Sequence, residues 1–220
     1  MVMRRRRRLR ILVAAISALL IACTNVAIAQ ADQWNGYGNQ FNYRMTGNNN
    51  VNYYYDSTIV GSTYAEAMDS AILSWRKPRA TGGYAADGHA LCPAQNGFTA
   101  TPTAYASSRL VVEAYPYPLG PGFEGVNAIT EVFIYGSPTI VRDPELVAYD
   151  WAKIRFNTLV MNSRDLWYGV GSKRAVAAHE LGHALGLSHY QTTGTVMAQQ
   201  FARNVIGPTC RDNRSVGVRW

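Results

Sequence analysis

The sequence predicts a mixed α/β chain of the α+β kind. Two observations carry that reading: several short β-rich runs bounded by turn residues, and two helical patterns set among them. The composition agrees, since 220 residues at 48% hydrophobic and 16% charged suit a globular chain and exclude wholesale disorder. Val51 to Asp56 reads as the first strand, because Tyr53, Tyr54 and Tyr55 favour a pleated, half-buried surface. Thr63-Tyr64-Ala65-Glu66 has the form of a capping box. The helix it would open carries Tyr64, Met68, Ala71, Ile72 and Trp75 on one stripe, and Pro78 stops it. Gly82 to Ala104 reads as loop. Arg109 to Tyr115, Ile129 to Tyr135 and Lys153 to Thr158 read as further strands. A second helix runs from about Ser172 to Leu185, and a short last helix opens near Asp212.

The net charge of +7 would ordinarily point to nucleic acid or an anionic surface. Here six of the 21 basic residues are Arg4, Arg5, Arg6, Arg7, Arg8 and Arg10, and no acid precedes Asp32. The rest of the chain holds 15 basic residues against 14 acidic ones, so no basic stripe is left and a nucleic-acid partner is not expected. Residues 1–29 have the form of a secretory signal: an Arg-rich start, an apolar run from Ile11 to Ala22, and Ala27-Ile28-Ala29 before a mature start at Gln30. The apolar run has 12 residues, short of the roughly 20 that a bilayer span needs. Leu20-Ile21-Ala22-Cys23 also resembles a lipobox. The expected address is therefore secreted, with a surface lipoprotein anchored at Cys23 as the alternative and membrane association only in that case. Residues 30–50 read as an irregular polar lead-in, and 51–220 as one domain, expected to be a monomer. Either processing route leaves Cys92 and Cys210, for which an oxidising compartment suggests one disulfide. It would close a loop worth roughly 4–5 kcal/mol in the chain-entropy account.

The chemistry concentrates in His179-Glu180-Leu181-Gly182-His183-Ala184-Leu185-Gly186-Leu187-Ser188-His189. On a helix, His183 stands about 40° from His179, on the same face one turn along. Ala177, Leu181 and Leu185 fall on the opposite, packing face. Two imidazoles at this spacing can supply two ligands to a tetrahedral Zn²⁺. A third ligand needs the chain to turn. Gly186 can end the helix in a left-handed conformation and bring His189 back toward the ion. Three neutral histidines would leave an open position, which marks a catalytic rather than a structural ion. Glu180 lies beside the metal face. There it could take a proton from zinc-activated water attacking a carbonyl and return it to the departing amine. Three of the chain's four histidines thus stand at fixed spacing with one Glu and one Gly, a pattern with a stated mechanism.

The pattern HExxHxxGxxH with a downstream Met resembles the metzincin signature. The stretch 175–189, AVAAHELGHALGLSH, is most similar to the matrixin branch, the matrix-metalloproteinase-like peptidases. The resemblance implies a twisted, mostly parallel sheet with an active-site helix and a C-terminal helix, in a secreted zinc-dependent endopeptidase acting on proteins or peptides. It implies that Met197, in Thr195-Val196-Met197, forms the Met-turn floor beneath one catalytic Zn²⁺, and that the tail from Arg211 to Trp220 is the closing helix. It also implies that an extended peptide pairs with an edge strand, for which Ile129–Tyr135, or its neighbour up to Thr139, is the candidate. The chain departs from the family in several places. Cys92 lies in Leu91-Cys92-Pro93, inside the domain, so latency through a cysteine switch is not expected. Only His89 is left over, so a second, structural zinc is not expected, and a calcium requirement is left open. Ala198-Gln199 follows the methionine where matrixins commonly have Tyr-Pro, which bears on the wall of the substrate pocket. The competing reading is a non-catalytic surface lipoprotein or binding module with a structural zinc site. Glu180 argues against it, since a structural site has no use for a carboxylate beside an open position.

Overall fold

A computed structural model describes residues 50–76, 99–117, 119–137, 139–140, 149–164, 172–189, 194–198 and 205–217. Residues 1–29, most of the 30–50 lead-in, His89 and Cys92 lie outside them.

Among the described residues, five strands form one sheet in the order β2-β1-β3-β5-β4. β1 (Asn50–Tyr55) lies between β2 (Thr99–Pro102) and β3 (Leu110–Tyr115), parallel to both. β3 pairs parallel with β5 (Trp151–Asn157). β4 (Ala128–Phe133) occupies the edge and runs antiparallel to β5, with Thr130 opposite Ile154. The mostly parallel mixed sheet is the α/β arrangement the resemblance implies. β5 is buried on alternate residues at Ala152, Ile154 and Phe156, the period-2 pattern of a strand with one face in the core.

Helix α1 (Thr63–Arg76) buries Tyr64, Met68, Ala71, Ile72 and Trp75, the stripe read from the sequence. Its cap lies one residue earlier than the expected box. Ser62 Oγ accepts from Tyr64 N at 3.2 Å, and Ser62 O accepts from Ala65 N and Glu66 N. Thr63 is already helical, and its hydroxyl instead accepts from Lys173 Nζ at 3.0 Å. One strand and one α-helix were not expected. β2 falls in the stretch read as loop; it is four residues long, pairs with β1 alone, and ends on Pro102, all features of a blunted edge strand. Helix α2 (Thr158–Arg164) follows β5 without a break, because Asn157 Oδ1 accepts from Val160 N at 3.3 Å and turns the strand directly into a helix. Helices α3 (Lys173–Ala184) and α4 (Cys210–Gly217) complete the order.

The core joins α1 and α3 to the sheet. Trp75 is fully buried, and its indole N–H donates to Ala178 O of α3 at 2.8 Å. This fixes the height of α3 against α1. Across the sheet, Glu113 on β3 pairs with Lys153 at 2.9 Å, and Arg155 reaches Glu131 on β4 at 3.2 Å. Among the described residues, no helix is long and apolar enough to cross a membrane.

Candidate metal centre

Helix α3 begins at Ser172, whose side chain accepts from Ala175 N at 3.2 Å. It ends in a Schellman motif: Gly186 N donates to His183 O and Leu187 N to Gly182 O. Gly186 carries φ 92°, the left-handed conformation that this motif requires and that a glycine adopts without penalty. The reversal brings His189 back over the last turn of the helix.

The three histidines converge. Nε2 of His179 lies 3.1 Å from Nε2 of His189 and 3.2 Å from that of His183, and the His183–His189 pair closes the triangle at 3.2 Å. Nitrogens about 2.0–2.1 Å from a shared tetrahedral ion stand about 3.3 Å apart, so the triangle is the size a zinc ion requires. The outer nitrogens set the tautomers. His179 Nδ1 lies 2.7 Å from Val196 O, and His183 Nδ1 lies 2.7 Å from Leu187 O. A carbonyl only accepts, so both Nδ1 atoms carry the proton and both Nε2 atoms present bare lone pairs. Such lone pairs have no proton to share and repel at this distance. A cation between them resolves the conflict, so the donor set fits zinc. His179 and His183 are buried, and His189 is exposed.

Glu180 is also buried, and its carboxylate meets the sheet edge: Thr130 Oγ1 on β4 donates to Oε2 at 2.7 Å and stands 3.0 Å from Glu180 O. Thr130 was not singled out from the sequence. Fifty positions separate the pair, and no local pattern links them.

Thr195, Val196 and Met197 are fully buried. A Cβ on Gly182 would overlap Met197 Sδ and stand 3.0 Å from Trp75 Cζ2, so a side chain there would have to displace the Met197 thioether. The segment is tied to α4 by Asp212, whose Oδ2 accepts from Val196 N at 3.0 Å, Thr209 N at 2.8 Å and Thr209 Oγ1 at 2.8 Å. Thr209 and Asp212 also form a capping pair, with Asp212 N facing Thr209 Oγ1. The helix therefore opens at Cys210, two residues before the expected start. The Thr-x-x-Asp spacing was the readable signal for it. Burial pushes the Asp212 carboxyl above its ordinary range, against the hydrogen bonds from Thr209 and Val196 that favour its charge. The candidate substrate strand ends at Phe133 rather than Tyr135, and β4 lies at the sheet edge.

Residues 161–214 match the matrixin family, a span that holds the triad, Met197 and most of α4. No curated protein matches the chain. The matched span and the His179–His183–His189 triad together support a likeness to the matrixin branch of the metzincins.

Proposed function

We propose that this protein is a secreted zinc-dependent endopeptidase that hydrolyses peptide bonds, with Glu180 as general base and then general acid. One observation carries the reading: three Nε2 atoms meet in a triangle 3.1–3.2 Å on a side, with a carboxylate on the same turn of helix. His179, His183 and His189 would hold one Zn²⁺. When bound, zinc supplies Lewis acidity, making water acidic enough to ionise near neutral pH and polarising a carbonyl. Glu180 accepts a proton from the attacking water and delivers it to the departing amine. β4 offers its outer edge to an extended peptide up to Phe133, which bridges to Ile140, and Met197 forms the apolar floor. Protein or peptide substrates follow from the family.

Casein cleavage by the purified protein is expected to stop with o-phenanthroline and to return when zinc is added back. Cleavage that survives zinc removal would overturn the reading. Bound zinc with no cleavage of any peptide in a library would favour a binding module. The export signal at 1–29 supports secretion. The N-terminal mass of the exported chain distinguishes a start at Gln30 from a lipid-modified Cys23. The half-cystine state of Cys210 supports the Cys92–Cys210 pairing inferred from the cysteine tally.

A further inference from the structure

We propose that Thr130 is a positioning residue for Glu180, tying one carboxylate oxygen to the sheet and so fixing the orientation in which the carboxylate meets the reacting water. The inference rests on the reading of Glu180 as the general base. A glutamate side chain turns about three bonds and loses substantial freedom when held in one orientation. Thr130 comes from a different element. It pairs with the core residue Ile154 on β5, and Ala128 and Val132, its i±2 neighbours on the same strand face, are buried. Thr130 itself is half-buried, and its hydroxyl finds a polar partner at 2.7 Å in Glu180 Oε2. The main-chain oxygen of Glu180 is farther, at 3.0 Å. A threonine has a single proton to give, and hydrogen bonds to ionised acceptors are the shorter and stronger ones. The proton therefore goes to the carboxylate. The same strand offers its outer edge to the peptide, so β4 sets the base and the substrate in one frame.

The residue type alone says little, since a β-branched threonine also suits a strand. The test separates the hydroxyl from the shape. Thr130→Val keeps the branching and removes the donor; Thr130→Ser keeps the donor. With the zinc-loaded chain and a peptide substrate, Thr130→Val is expected to lower kcat on the order of tenfold with KM little changed and one zinc per chain retained. Thr130→Ser should stay within about twofold of the parent. A second readout needs no activity. Urea midpoints of Thr130→Val, Glu180→Ala and the double variant should be non-additive, as for residues in contact. Parental kcat in Thr130→Val, a serine variant as slow as the valine, or additive midpoints would each overturn the role. A parent chain that cleaves nothing removes the reaction and this role with it. Non-additive midpoints would then still establish the contact, so the two failures are told apart.

Discussion

Replacing Glu180 with glutamine is expected to slow peptide cleavage by about 10²–10⁴-fold, the share a positioned general acid–base supplies. Glutamine has nearly the shape of glutamate, and its side-chain oxygen can still accept from Thr130, so the packing of α3 against β4 is kept. The metal ligands keep their supports, because Val196 O and Leu187 O orient His179 and His183. What is lost is a basic oxygen able to take the water's proton. The loss should fall on kcat and kcat/KM together, the signature of an interaction made in the transition state. Atomic emission should find the parental zinc content, and the melting temperature should move little. A Glu180→Gln protein within a few-fold of the parent would remove Glu180 from the mechanism. A variant that had also lost its zinc would show instead that Glu180 supports the metal site. The rate and the metal content are therefore measured on the same preparation.

The parts of the site readable in the sequence are those whose geometry is local. His179 and His183 share a face because a helix turns about 100° per residue, and Gly186 reverses the chain because φ 92° suits glycine. Both follow from spacing alone. The stripe on α1 was readable for the same reason. Thr130 was not, because its meaning depends on which strand lies at the edge, and strand order is a long-range property. β2 was missed because four residues against a single neighbour leave too short a pattern. α2 was missed because Asn157 ends a strand and caps a helix at once, with no turn between to mark the change. Asp212 lies between these cases. Its capping partner Thr209 was visible three residues upstream, but its bond to Val196 was not. The charge of +7 is a local feature of the sequence, since the arginines of the first ten residues account for nearly all of it.

Asp212→Ala is expected to cost about 3–5 kcal/mol of stability and to weaken zinc binding on the order of 10–100-fold. One carboxylate oxygen serves Val196 N, Thr209 N and Thr209 Oγ1, so truncation leaves three donors without it. A buried donor left unsatisfied costs about 1–3 kcal/mol. The metal effect runs through Val196. Its N–H is held by Asp212 and its C=O receives the proton of His179 Nδ1, so loosening the residue on one side frees the ring on the other. Asp212→Asn should be milder on both counts, since an amide oxygen can still accept. It should also change the response to pH. Because burial raises the Asp212 carboxyl, the folded chain holds that proton more tightly than the unfolded one. The group's contribution to stability is therefore full below the ordinary carboxylate range and is lost as pH rises through the raised folded value. Urea midpoints taken across that window should slope downward in the parent for this group and flatten in Asp212→Asn. Competition with a chromogenic chelator reads the zinc affinity of each variant. Parental zinc affinity in a folded Asp212→Ala chain would break the proposed link from α4 through Val196 to His179, and would leave Asp212 as a helix cap alone.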